Sequence, residues 1–93
     1  MAMGKQVDRV AVLSRQFREN LQFWIESDRK SALRVMDLMA AILSNHALGI
    51  AGPETLRFEL AGCWSRRVMQ EHRLVYRVIS QHVAFIQARY HYE

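Results

Sequence analysis

The sequence predicts a single α+β domain spanning residues 1–93, in which two helices pack on a mainly antiparallel sheet in the order β-α-α-β-β-β-β. Apolar residues recur at helical spacing between residues 15 and 44, which predicts the two helices. Apolar and polar residues then alternate in short stretches up to residue 89, which predicts four half-buried strands. Because the helices are segregated from these strands along the chain, the fold class is α+β.

The first strand is predicted over residues 7–13, where apolar residues surround Asp8 and Arg9. Residues 1–8 are a candidate disordered extension of the domain. Ser14 is a favourable N-cap for the first helix. The pair Ser27-Asp28 ends that helix and can cap the second, so that the two helices form an αα-hairpin.

Each helix has an apolar face at helical spacing. In the first helix this face comprises Phe17, Leu21, Trp24 and Ile25, and Asn20 belongs to the polar face. In the second helix the face is wide and comprises Ala32, Val35, Met36, Leu38, Met39, Ile42 and Leu43. Such breadth predicts that the second helix is covered on more than one side.

After a loop over residues 45–54, a strand is predicted over residues 56–60, a hairpin over residues 62–76 and a last strand over residues 82–89. The turn of the hairpin decides where two arginines lie. A three-residue turn, or a bulge, places Arg67 and Arg73 on the same side of the sheet, whereas a two-residue turn places them on opposite sides. Directly opposed arginines repel each other, which predicts an anion between them in the first case.

Composition excludes several kinds of site. The single cysteine, Cys63, excludes a disulfide within the chain and a cysteine-based zinc site. The four histidines are scattered and none is paired at the i, i+4 spacing of a helical metal site, so we expect no metal and no cofactor. Apolar runs fall short of the roughly 18–20 residues of a membrane span, and the N-terminus lacks the pattern of a secretory signal. We therefore expect a cytoplasmic protein without a membrane partner.

Positive charge is concentrated in the second half of the chain, where residues 57–93 contain six arginines and three acidic residues. Arginine binds phosphate through two hydrogen bonds, so one interpretation is an anionic partner, with nucleic acid first. The other interpretation is a solvated basic surface, and composition leaves both open.

Several polar side chains have the chemistry of a metal-independent ribonuclease, which needs a base, an acid and cations around the phosphate. Glu54 is the candidate base and His91 the candidate acid. Arg67 and Arg73 are the candidate phosphate clamp, and Tyr92 and Trp64 have rings on which a base could stack. Simpler interpretations exist: a turn carboxylate for Glu54, an exposed strand face for the arginines and a core position for Trp64.

Longer motifs carry a family resemblance. They are Gly62-x-Trp64-Ser65-Arg66-Arg67, Glu71-His72-Arg73-Leu74-Val75-Tyr76 and Arg89-Tyr90-His91-Tyr92, preceded by Pro53-Glu54-x-Leu56. In these motifs the chain resembles the YoeB/Txe family of bacterial toxins, within the wider RelE group.

The resemblance implies a RelE-like sheet, similar to that of microbial ribonucleases, and an enzyme that cuts mRNA in the A site of the 30S ribosomal subunit. Under it, Glu54 would be the general base and His91 the general acid, while Tyr92 would orient the substrate. Arg67 and Arg73 would stabilise the phosphate. Further substrate contacts are assigned to Arg57, Trp64, Arg66 and Arg89.

The resemblance also implies partners: a cognate antitoxin protein as inhibitor, a second copy of the chain in a homodimer, and operator DNA only together with the antitoxin. The sequence also departs from the family in several places, two of which concern the candidate site. The loop before Glu54 lacks a lysine that the family often has, and Glu93 follows Tyr92, which we expect to shift the pH optimum or slow the reaction.

Two other functions are also compatible with the sequence. One is a non-nucleolytic toxin of the same fold that inhibits a protein target such as DNA gyrase. The other is a binding module whose role is autoregulation with an antitoxin on operator DNA.

Overall fold

The described part of the chain, residues 8–45, 54–55 and 62–90 of the computed structural model, forms seven elements in the predicted order. They are β1 (Val10–Leu13), α1 (Arg15–Ser27), α2 (Arg29–Asn45), β2 (Glu54–Thr55), β3 (Trp64–Met69), β4 (His72–Ile79) and β5 (His82–Gln87). The order β-α-α-β-β-β-β and the α+β class are thereby confirmed. The strand predicted over residues 56–60 and most of the N-terminal extension lie outside the described residues.

The sheet is mixed, with strand order β1-β5-β4-β3-β2. β1 runs parallel to β5, and the other neighbouring strands are antiparallel, which confirms the predicted meander. β1 is shorter than predicted, because the Arg9 N–H donates to the Leu43 carbonyl of α2 at 3.0 Å and not to a strand. Since β1 lies beside β5, α1 begins directly over the end of β5.

Side chains fix the two helix starts where the sequence predicts them. The Ser14 hydroxyl accepts a hydrogen bond from the Phe17 N–H at 3.0 Å and donates to the Ile86 carbonyl at 2.7 Å, so the cap also ties α1 to β5. At the junction of the helices, the Asp28 carboxylate accepts from the N–H of Ser31 at 3.3 Å and from its hydroxyl at 3.0 Å. Both predicted caps are confirmed.

Both helices pack on one face of the sheet, and the core lies between the helices and the sheet. Its buried members are Phe17, Trp24, Ala32, Val35, Leu38, Ile42, Val68, Leu74, Tyr76, Val83, Phe85 and Ala88. The opposite face of the sheet carries the alternate residues of β3 and β4, among them Ser65, Arg67 and Arg73.

The predicted apolar faces are wrong at their edges. Asn20 is buried at 7% exposure, whereas Ile25 is 60% exposed and Met36 is 51% exposed. With about 100° between successive helix residues, Asn20 and Ile25 flank Phe17 on opposite sides, and the sheet covers the side of Asn20. The exposure of Met36 means that α2 is not covered as widely as predicted. Neither helix of the described ranges is long and apolar enough to cross a membrane.

Candidate active site

A bulge in β3 decides how the two arginines of the hairpin lie. The turn has two residues, Gln70 and Glu71, and Met69 pairs with His72. The register then shifts by one residue, so that Arg67 pairs with Arg73 and Arg66 pairs with Leu74. The extra residue is Val68. The two-residue turn alone would place the arginines on opposite faces; the bulge returns them to one face.

The bulge is held from the helical layer. The Arg34 side chain of α2 donates through Nε to the Val68 carbonyl at 3.0 Å and through Nη2 to the Arg67 carbonyl at 3.4 Å. Val68 itself is buried in the core at 3% exposure. The bulge disrupts the regular strand pairing of these two carbonyls. The Arg34 guanidinium is a charged donor that satisfies them instead.

Arg73 brings the predicted base and half of the predicted phosphate clamp together. Its guanidinium donates through Nε to the Ser65 hydroxyl at 3.0 Å and through Nη2 to Glu54 Oε1 at 2.5 Å. The pairing of Glu54 with Ser65 between β2 and β3 places the carboxylate there. The Arg73 side chain is 7% exposed and that of Glu54 is 67% exposed, so the arginine is fixed while the carboxylate faces solvent.

Arg67 lies across the strand pair from Arg73 and remains exposed. Its Nη1 donates to the Gln70 carbonyl at 2.7 Å, which turns the guanidinium toward the hairpin turn. The two arginines, with Gln70 and Glu71, line an open depression of about 440 Å³. Each guanidinium has a protein acceptor of its own, so the opposed pair is accommodated by Glu54 on one side and a backbone carbonyl on the other. An anion between the arginines stays a prediction.

The chain leaves β5 at Gln87, two residues before the predicted end at residue 89, because α1 takes over its hydrogen bonds. The Ala88 N–H donates to Asn20 Oδ1 at 2.9 Å, and the Ala88 carbonyl accepts from Trp24 Nε1 at 2.8 Å. Both bonds are buried. This explains why Asn20 lies on the packed side of α1.

Tyr90 is bonded to β4 through its backbone. Its N–H donates to His72 Nδ1 at 2.9 Å, and its carbonyl accepts from the Arg73 N–H at 3.1 Å. His91 and Tyr92, the predicted acid and orienting tyrosine, follow at once in sequence but lie outside the described residues, as does Arg57.

Two of the residues predicted to contact substrate, Arg66 and Trp64, belong to β3. Arg66 is fully buried and its Nε donates to the Tyr76 hydroxyl at 3.5 Å, because alternation turns it to the helical side of the sheet. This burial does not support a substrate contact by Arg66. Trp64 is half-buried and packs against the core, which agrees with its simpler interpretation.

Arg89 is half-buried and lies 3.5 Å from the centre of the Phe23 ring and 4.6 Å from that of Tyr90. These distances are typical of cation–π contacts. The guanidinium thus helps to hold the C-terminal segment on α1, and its Nε is buried without a hydrogen-bond partner among the residues that the structure describes. Its predicted contact with substrate stays a prediction.

Sequence reasoning missed the positioning role of four side chains: Asn20, Trp24, Arg34 and Ser65. The hydroxyl of Ser65 was visible within a motif, but its partner Arg73 depends on the register of the hairpin. The other three contacts join elements far apart in sequence. Among the residues that the structure describes, no three His, Cys, Asp or Glu side chains are grouped as a metal site.

A family model described as "YoeB-like toxin of bacterial type II toxin-antitoxin system" matches residues 13–92. The chain belongs to this family of toxins. Among curated relatives of this chain, Toxin RelK of Mycobacterium tuberculosis is 47% identical over 74 residues, which covers 80% of this chain and 87% of RelK.

Solved structures of YoeB toxins have the same fold. A YoeB dimer from Staphylococcus aureus superposes with a TM-score of 0.82 at 33% identity, covering 92% of this chain and 100% of that one. A heterotetrameric YoeB–YefM toxin–antitoxin complex from the same organism gives a TM-score of 0.79 at 34% identity, with the same coverage. The family and the fold implied by the motifs are thereby confirmed.

Proposed function

We propose that this YoeB-family toxin is an endoribonuclease that cuts mRNA in the ribosomal A site and so inhibits translation. The observation that carries the proposal is the joining of Glu54, Arg73 and Arg67 on the face of the sheet opposite the helices, where the two arginines line a depression. This arrangement offers a carboxylate and two cations to one phosphodiester.

The reaction that fits these groups is attack of a ribose 2′-hydroxyl on the neighbouring phosphorus. The base takes the proton of the 2′-hydroxyl, the new O2′–P bond forms, and the P–O5′ bond breaks as an acid protonates the leaving 5′-oxygen. The products are a 2′,3′-cyclic phosphate and a 5′-hydroxyl. Proton transfer by each positioned group contributes on the order of 10²–10⁴ in rate.

Glu54 is the proposed base. One carboxylate oxygen is held by Arg73, and the exposure of the side chain leaves the other accessible to a ribose hydroxyl. Arg73 is the fixed half of the phosphate clamp, since its burial and its bond to Ser65 leave the guanidinium little freedom. Arg67 is the exposed half, and it can turn from the Gln70 carbonyl to a phosphate oxygen.

His91 is the proposed acid, with Tyr92 orienting the substrate beside it. The support is the position of Tyr90, whose carbonyl accepts from the N–H of Arg73, together with the sequence, in which His91 follows Tyr90 directly. Imidazole is the side chain whose ordinary pKa suits proton transfer near neutral pH.

The proposal extends to partners. The YoeB–YefM complex supports a cognate antitoxin as partner, and the YoeB dimer supports a homodimer. We propose that the antitoxin inhibits the enzyme and joins it on operator DNA. The basic surplus of residues 57–93 favours ribosomal RNA and mRNA as the other partners. We place the toxin in the cytoplasm, where those partners are.

In vitro translation with purified toxin tests the proposal, with mRNA ends mapped by primer extension. We expect cuts within the A-site codon, weakened on the order of 10²- to 10⁴-fold by Glu54→Ala and by His91→Ala. Glu19→Ala, which removes an exposed carboxylate from α1, is the matched control and is expected to cut like the wild type. Intact mRNA with wild-type toxin, or blocked DNA supercoiling in its place, would contradict the proposal.

A further inference from the structure

We propose that His72 is a positioning residue that holds the C-terminal segment of the toxin against the phosphate clamp through the backbone of Tyr90. The inference rests on the proposed function and deepens it, since the segment beyond Tyr90 contains the proposed acid. It assigns a role to a side chain that takes no part in the chemistry itself.

The backbone of Tyr90 is the first observation. Its φ is +67°, in the left-handed region that favours glycine. For a residue with a side chain, this conformation is unfavourable, because Cβ comes too close to the following carbonyl oxygen. A strained backbone persists where surrounding contacts hold it, and residues with such a backbone cluster at functional sites.

Two consecutive residues of β4 hold both polar groups of the Tyr90 backbone. The imidazole of His72 accepts from its N–H at 2.9 Å, and the N–H of Arg73 donates to its carbonyl at 3.1 Å. The side chain of the same Arg73 binds Glu54. The dipeptide His72-Arg73 thus connects the base, the clamp and the segment that precedes the proposed acid.

The imidazole is itself held in place by aromatic rings. The Trp24 ring meets it edge-on at 4.9 Å between centroids, and the Tyr90 ring lies at 5.8 Å. Trp24 in turn donates to the Ala88 carbonyl. Because a backbone N–H can only donate, Nδ1 of His72 acts as the acceptor here, and no proton on Nδ1 is compatible with this bond. What the position requires is an acceptor two bonds beyond Cβ.

This requirement separates two amide substitutions. Asparagine places its Oδ1 two bonds beyond Cβ, as histidine places Nδ1, whereas glutamine places its oxygen one bond further out. A displacement of about 1 Å at a reacting group can cost on the order of 10² in rate. We therefore expect His72→Gln and His72→Leu to lower kcat by about 10- to 100-fold, with little change in KM, and His72→Asn to stay within about threefold of wild type.

The experiment combines two readouts on the full-length toxin. One is the cleavage rate of mRNA on programmed ribosomes, resolved into kcat and KM. The other is hydrogen exchange of the Tyr90 amide by NMR, which reports the anchor whether or not RNA is cut. Slow exchange and near-normal kcat in His72→Asn, with fast exchange and low kcat in His72→Gln, are the expected results.

Other outcomes overturn the inference. Equal kcat in all variants, or a His72→Asn variant as slow as His72→Leu, would contradict it, as would Tyr90 exchange unchanged in His72→Gln. Thermal unfolding of each variant separates loss of the anchor from loss of the fold. If wild-type toxin leaves mRNA intact, the proposed function fails by itself, and the Tyr90 exchange still decides whether His72 is the anchor.

Discussion

Replacing Arg34 by methionine tests whether the bulge in β3 depends on α2. The substitution keeps an unbranched apolar stem and removes the donors to the Val68 and Arg67 carbonyls, at 3.0 and 3.4 Å. A hydrogen bond with one charged partner contributes about 1.5–3 kcal/mol. Because Arg34 is half-exposed and its second bond is long, we expect the free energy of unfolding to fall by roughly 1–2 kcal/mol. For a domain of this size, that lowers Tm by roughly 4–16 °C.

The assay is thermal unfolding followed by circular dichroism, with Arg18→Met as the matched control. That control makes the same substitution at an exposed position of the other helix, α1. We also expect mRNA cleavage to fall roughly 10- to 100-fold in Arg34→Met, because a disturbed bulge moves Arg67 relative to Arg73. Equal Tm and equal cleavage in the two variants would refute the reasoning, since the bulge would then hold without its donor.

Two further predictions concern buried groups. Trp24→Phe keeps an aromatic ring but leaves the Ala88 carbonyl without its donor. We therefore expect the free energy of unfolding, measured by denaturant titration, to fall by about 1–3 kcal/mol. An unchanged denaturation midpoint would count against this anchor. Burial raises the pKa of Tyr76 above its ordinary value of 10.0, partly offset by Arg66. Above that pH the unfolded state loses a proton that the folded state keeps, so stability falls as pH rises, and urea titrations should show a shallower fall in Tyr76→Phe.

Much of the fold was predictable because it depends on local patterns. The helix starts at Ser14 and Asp28 follow from caps that bond within three residues, and the strands follow from alternation. The edges of the helical faces were not predictable in the same way. Asn20 is polar, yet it is buried, because its partner is the Ala88 amide, 68 positions away.

The candidate site was predictable as a set of residue types and only in part as an arrangement. Glu54, Arg67 and Arg73 were predicted together, and the structure brings them to one face. Arg66 and Arg67 have the same side chain, yet Arg66 is buried and Arg67 is exposed. The difference arises only because their side chains point to opposite faces of the sheet.

By itself, the sequence of this YoeB-family toxin determined the order of its elements, the position of the hairpin and the chemistry available to a site. These depend on neighbours within a few residues. Only the tertiary structure decided that a bulge at Val68 joins Arg67 to Arg73, and that Tyr90 ends on β4. The physical reason is that both depend on contacts between distant segments, Arg34 with Val68 and His72 with Tyr90, whose geometry is set by how the helices and strands pack.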